Sequence, residues 1–114
     1  MQAATDNDFP YILKTIVGTG VTTKLEVNVP ALEASIGEVH GIAQSKNGDL
    51  YFPSNKHVVL KAEFNKIDGT WSNVTIIAGT GSQGKGADNV LATESTLDSP
   101  HSISLIEDSN GELV

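Results

Sequence analysis

Residues 77–104 read IAGTGSQGKGADNVLATESTLDSPHSIS, and residues 16–43 read IVGTGVTTKLEVNVPALEASIGEVHGIA. When the chain is shifted against itself by 61 residues, these stretches are identical at 11 of 28 positions without a gap. Both carry Gly-Thr-Gly near their start and a histidine near their end, His40 in one and His101 in the other. The chain therefore contains an internal repeat, and its fold must use the same local structure twice.

The sequence between the two stretches predicts four short β-strands. Short apolar runs rich in Val, Ile and Thr, separated by turn residues, are typical of strands. The predicted strands cover 39–44, 49–52, 58–64 and 71–78. Asn47-Gly48 predicts a type I′ hairpin turn, Asp68-Gly69 predicts a second turn, and Pro53-Ser54-Asn55 predicts a break in the ladder because proline lacks an N–H. Four antiparallel strands joined in this way form one up-and-down sheet.

A long polar connection follows the fourth strand and leads into the second copy of the repeat. It must carry the chain from the outer edge of one sheet to the inner strand of the next. Because one four-stranded sheet cannot bury both faces, repeated sheets of this kind stack radially. The sequence thus predicts an all-β segment of a β-propeller. Its predicted parts are a polar N-terminus with an outer strand of a preceding blade (1–20), a connection (21–38), one complete blade (39–79), and a connection with the first two strands of the next blade (80–114).

Several residues of the repeat match a known family pattern. They are Ile77-Ala78-Gly79-Thr80-Gly81, Gly84, Gly86, Ala92, Leu97, Pro100, Ile103, the hairpin Asn47–Tyr51, and Asn55. In these positions the chain resembles the NHL repeat of β-propellers. The resemblance implies a ring, usually of six blades, each a four-stranded antiparallel sheet. Such rings mostly bind proteins, glycans or RNA, and a minority are lyases or lactone hydrolases with a metal in the central channel.

The length of the chain accounts for only about one and a half such blades. Propellers close with about four to eight blades, and stacked repeats bury their core between neighbours. The chain is therefore expected to need further blades in cis or self-association.

Composition narrows the possible partners. Fourteen acidic and seven basic side chains give a formal net charge of −7, which disfavours binding to nucleic acid or to an anionic membrane. The absence of cysteine excludes disulfides, thiol catalysis and cysteine-ligated metal. No apolar stretch approaches the roughly 20 residues needed to cross a bilayer, and no signal peptide is visible. Protein or small-ligand partners remain, and the compartment is left open.

The repeated histidines are the first candidates for a site. His40 and His101 precede the innermost strands of adjacent predicted blades, so their imidazoles are expected near one mouth of the central channel. Histidine is a frequent metal ligand, so the pair could contact a ligand or hold a divalent metal. The alternative is structural filling at the blade corner. Asn55 and His57, in the turn predicted to share that face, are the other candidate ligand-binding residues.

Two further patterns have structural explanations. Gly79-Thr80-Gly81-Ser82-Gln83-Gly84 spells the G-x-G-x-x-G of dinucleotide sites, which needs a helix directly after it. The repeat instead explains these glycines as the corner after a fourth strand. Glu33 and Glu94 also repeat, and they are expected to stabilise a short helical turn in each connection rather than to act as an acid–base pair.

These observations favour an interaction module over an enzyme. Loops on a rigid scaffold carry binding functions, and the expected contact face consists of residues 21–38, 82–99 and the 53–57 turn. We call these the first connection, the second connection and the clamp turn. The alternative is a metal-dependent lyase or hydrolase with its site in the central channel of a complete propeller.

Overall fold

The computed structural model describes residues 12–106 and shows a mostly β chain with two antiparallel sheets. The smaller sheet pairs β1 (Leu25–Glu26) with β2 (Ser35–Ile36). The larger sheet contains β3 (Ala43–Gln44), β4 (Leu50–Ser54), β5 (Val58–Asn65) and β6 (Thr70–Ala78), in that order. Within residues 12–106, no helix is long and apolar enough to span a membrane. The predicted all-β class is confirmed.

The four-stranded sheet is an up-and-down meander, as predicted between residues 39 and 79. β5 lies inside the sheet, with β4 on one side and β6 on the other. The pairing of β5 with β6 shifts register between Val59 and Leu60 and again between Ala62 and Phe64. Such irregularities increase the local twist of a sheet.

Pro53 and Ser54 lie inside a strand, so the predicted break at this position is wrong. Both residues belong to β4, are buried, and pair with Val59 and Val58 of β5. β3 pairs only with Leu50 and Tyr51 of β4. No strand on that side needs the N–H that proline lacks, and an unpaired edge is where a sheet tolerates proline.

The turn at Asn47-Gly48 exists but is not type I′. That type requires positive φ at both central residues, and here Gly48 has a φ of +94° while Asn47 is not in the left-handed region. The Gly48 N–H donates to the Ser45 carbonyl oxygen (2.9 Å), and the Ser45 N–H donates to the Asp49 carbonyl oxygen (2.9 Å). The hairpin therefore closes with a longer loop and a left-handed glycine, which is the second common solution for hairpins.

The flanking strands differ from the prediction. Residues 12–20, predicted to include an outer strand, and residues 101–106, predicted to begin the next blade, contain no strand. The remaining residues of these two predicted segments, 1–11 and 107–114, lie outside the described residues. The first strand of the sheet is also shorter than predicted, because residues 39–42 leave the ladder and run beside the second repeat. Gly41 is so close to this segment that an added Cβ would lie 2.9 Å from the His101 carbonyl oxygen.

The core lies between one face of the large sheet and the first connection. Along most of β5, buried residues alternate with less buried ones, as side chains on opposite faces of a sheet do, whereas all five residues of β4 are buried. The buried cluster comprises Ala31, Ala34, Leu50, Phe52, Val58, Leu60, Ala62 and Val74, with half-buried Val17, Val27, Val29 and Ile36 packed against it. The first connection thus covers the sheet that follows it in sequence, and burial of this apolar surface stabilises both.

Candidate functional site

The two connections share several backbone features at positions 61 residues apart. Each contains one 3₁₀ turn, at Ala31–Glu33 in the first connection and at Ala92–Glu94 in the second. The Gly18 N–H donates to the Ala31 carbonyl oxygen (2.8 Å), and the Gly79 N–H donates to the Ala92 carbonyl oxygen (2.9 Å). Left-handed asparagines also repeat, with φ of 61° at Asn28 and 62° at Asn89. The sequence repeat is therefore accompanied by a partial repeat of conformation, although among the described residues only the first connection contains a strand pair, β1 with β2.

The short helical turns expected around Glu33 and Glu94 are confirmed. Each glutamate is the last residue of its 3₁₀ turn and donates its backbone N–H across the turn, to Pro30 or to Leu91, at 2.8 Å. Both side chains belong to exposed residues in equivalent places on different connections. Their role is local.

The glycine-rich stretch after β6 forms a corner, as predicted. No helix follows Gly84 within the described chain, apart from the single 3₁₀ turn of the second connection. Two of its glycine N–H groups already have partners within the chain: Gly79 donates to the Ala92 carbonyl oxygen, and Gly84 donates to the Leu97 carbonyl oxygen (3.1 Å). Gly79 has a φ of +91° and abuts the clamp turn. The G-x-G-x-x-G pattern thus has a structural use here.

The structure brings His40 and His101 together. Their ring centroids are 5.1 Å apart and their planes differ by 22°, so the imidazoles stack. His40 is exposed over 56% of its side chain, and the Glu38 Oε2 lies 3.7 Å from its Nε2. His101 is also exposed. The pair marks the place where the last residues of the first repeat lie beside those of the second.

Asn55 and His57 contact the two connections. The Asn55 Oδ1 accepts a hydrogen bond from the Glu38 N–H (2.9 Å), and the Asn55 N–H donates to the Glu38 carbonyl oxygen (3.0 Å). The His57 Nδ1 accepts a hydrogen bond from the Ser99 N–H (2.9 Å). Both residues are half-buried. These atoms are occupied within the chain, whereas the stacked imidazoles face outward.

The stacked geometry does not suit a shared metal ion. Imidazole lone pairs lie in the ring plane, and zinc needs each nitrogen at about 2.0–2.1 Å. Two nearly parallel rings whose centres are 5.1 Å apart do not direct their lone pairs at one point. Among residues 12–106, no group of three His, Cys, Asp or Glu side chains is placed to hold a metal ion. The residues predicted as metal ligands therefore do not fit a metal in this arrangement.

Sequence reasoning located the histidines but missed the residues around them. Glu38 and Ser99 occupy equivalent positions in the two repeats and meet the clamp turn, yet they differ in type. Counting identical residues between the repeats does not reveal this pair. The two residues make their contacts through backbone N–H groups, so their side chains need not be the same. The spacing alone could have indicated them, since each precedes a repeated histidine by two residues.

Gly79→Ala and Gly81→Ala form a matched pair that tests the packing of the corner. Both glycines have a φ of +91°, so alanine at either position costs about 1–2 kcal/mol in left-handed backbone. At Gly79 the new methyl group also collides with the His57 carbonyl oxygen, whereas at Gly81 it meets nothing within 4 Å. We expect Gly79→Ala to lower the free energy of unfolding by about 1–3 kcal/mol more than Gly81→Ala. Urea denaturation measures the difference, and equal losses would contradict the close approach.

Comparisons with known proteins complete this description. No protein-family model, curated protein or solved structure matches the chain.

Proposed function

We propose that the chain is a segment of an NHL-type β-propeller and serves as an interaction module. The proposal is supported by one four-stranded meander flanked by two connections that share a 3₁₀ turn at positions 61 residues apart. A connection that recurs on both sides of a sheet is what radially stacked sheets require. The close approach of Gly41 to the His101 backbone agrees with this, because neighbouring blades approach each other at their inner strands.

We place the contact site of the module at the stacked histidines. Loops held on a rigid scaffold carry binding functions, and this pair stands where both connections end. Ile42, which is 61% exposed, follows closely and adds an apolar group to the same region. Imidazole edges offer hydrogen-bond donors and acceptors, and the neighbouring Glu38 carboxylate adds an acceptor. A protein surface or a small polar ligand suits this combination better than a polyanion does, given the net charge of −7.

The exposed side of the first repeat supports the need for further blades. Ile16, Val39 and Ile42 line a groove that has Leu50 and Phe52 at its base, and its lining is almost wholly apolar. The groove is small, but together with the exposed Ile42 it offers an apolar surface that a neighbouring sheet could cover. In a ring, a preceding blade would cover this groove; in the isolated chain, another copy is the available cover.

The alternative function, a channel-centred metal-dependent lyase or hydrolase, needs a different geometry at the pair. The imidazoles would have to turn until their nitrogens point at one ion, and further ligands would have to come from residues of other blades. The exposed stack favours binding, and the proposal therefore rests on contact rather than catalysis.

Affinity capture tests the proposed contact site. The immobilised chain is expected to retain a protein partner or a glycan that His40→Ala and His101→Ala both release. Ile67→Ala is the matched control, because Ile67 is 98% exposed in the turn at the opposite end of β5. Retention of the same partners by all four proteins, at equal yield, would refute a contact site at the histidine pair.

Calorimetry with Zn²⁺ separates the module from the enzyme alternative. Because the rings are nearly parallel, we expect the wild type and His101→Ala to give the same heat. A binding heat near one equivalent that disappears in His101→Ala would favour the metal-dependent alternative.

Light scattering on the purified chain tests the need for more blades. We expect oligomers at micromolar concentration, because the groove beside Ile42 lacks a cover. Ile42→Asp places a charge in that groove and should shift the population towards monomer, whereas Ile67→Asp, outside the groove, should not. A cooperative and fully monomeric wild type would contradict the incomplete-propeller interpretation.

A further inference from the structure

The clamp turn holds both connections at equivalent positions. Glu38 in the first connection and Ser99 in the second are 61 residues apart, so they correspond within the repeat. The backbone N–H of Glu38 is bound by Asn55, and that of Ser99 is bound by His57, each at 2.9 Å. Two side-chain acceptors in one turn, two residues apart, therefore bind the backbone N–H at equivalent positions of two successive repeats.

Each of these points lies two residues before a histidine of the stacked pair. Glu38 precedes His40, and Ser99 precedes His101. Two residues span at most about 7 Å of extended chain, so fixing both amides restricts where the two imidazoles can lie. The clamp turn thus acts as a spacer between the chain segments that present the pair.

The clamp turn is itself fixed to the first connection by a hydrogen bond from a buried serine and by close packing. The Ser54 Oγ donates to the Ile36 carbonyl oxygen (2.6 Å) and accepts from the Lys56 N–H (3.1 Å), and Ser54 is fully buried. Gly37, with a φ of +70°, lies against this turn, and a Cβ there would lie 2.6 Å from the Asn55 Oδ1. The position of Asn55 relative to the first connection is therefore fixed by packing as well as by hydrogen bonds.

His57 maintains an unfavourable backbone conformation at this place. Its φ is +64°, in the left-handed region, where residues other than glycine are uncommon and histidine occurs more often than most. Strained backbone of this kind persists where the surrounding structure requires it. Here the conformation accompanies the hydrogen bond between the His57 ring and the second connection, which glycine could not make.

We propose that Asn55 and His57 are positioning residues that set the geometry of the His40–His101 pair without touching its ligand. The clamp turn would determine how far apart the two imidazoles stand and keep them stacked. This inference rests on the proposed function only in taking the histidine pair as the contact site. It replaces a direct ligand role for Asn55 and His57 with an indirect one.

NMR of the histidine rings in the full chain tests the proposal. Stacked rings shift each other's ring-proton resonances upfield, and this shift needs no ligand to be observed. In His57→Gly, glycine accepts the φ of +64° while the acceptor is lost, so the upfield shifts of His40 and His101 should disappear. In Asn55→Ala they should decrease, although the Asn55 N–H still donates to the Glu38 carbonyl oxygen, whereas Asn55→Asp keeps an oxygen acceptor and should retain them. Near-ultraviolet circular dichroism of Trp71 reports that the fold persists.

The outcomes decide between a positioning role and a purely local one. Unchanged ring shifts in His57→Gly, with the Ser99 amide resonance displaced, would overturn the proposal. If His57→Gly does not fold, the Asn55 pair decides: a decrease in Asn55→Ala alone supports positioning, and equal behaviour of Asn55→Ala and Asn55→Asp overturns it. Because the measurement uses no partner, the stack can depend on the clamp turn even if affinity capture refutes the contact site, and the two failures remain distinguishable.

Discussion

In the propeller that we propose, the chain that leaves the four-stranded sheet after Ala78 would have to cross from the outer to the inner edge before a second sheet could begin. The same requirement would apply to the connection that precedes the sheet. A glycine corner turns the chain, a single 3₁₀ turn shortens the route, and the glycine N–H that opens the corner is bound by the carbonyl oxygen that opens the 3₁₀ turn. Because buried or partly buried backbone groups need partners, a connection with few apolar residues can hold one path only if its amides are paired in this way.

The two connections contact the four-stranded sheet in different ways. The first connection lies on the sheet that follows it and supplies Ala31 and Ala34 to the buried cluster. The second connection approaches the end of β6 through Leu97, whose Cδ1 would be 3.1 Å from a Cβ at Gly79. In the proposed propeller, each sheet would thus be contacted by the connection before it and by the connection after it.

The sequence predicted the features that depend on local residue types. It did not predict those that depend on which backbone groups pair with each other. The apolar runs of β5 and β6, the turns between strands and the glycine corner follow from residue types and their spacing. The strand character of Pro53 and Ser54 does not, because it depends on β3 ending before it reaches them. Asn47-Gly48 was assigned the wrong turn type, since the loop closes through Ser45 and Asp49. The small β1–β2 sheet was not predicted, because two-residue strands carry no periodic pattern.

At the histidine site, too, the sequence indicated the side chains but not the backbone groups that they contact. Identity across the repeat located His40 and His101, and the structure stacks them. The clamp turn was predicted to be part of the contact face, but its hydrogen bonds to the two connections were not predicted. Asn55 and His57 accept from backbone N–H groups, and the residue types on the other side of these bonds do not indicate them. One equivalent N–H is bound in the first connection by an asparagine of the sheet that follows, and in the second by a histidine of the sheet that precedes. Either acceptor satisfies the same amide, so one anchoring point can be held from either neighbouring sheet. In the proposed propeller, the residue at the anchor could therefore differ between repeats without changing how the chain approaches the next strand.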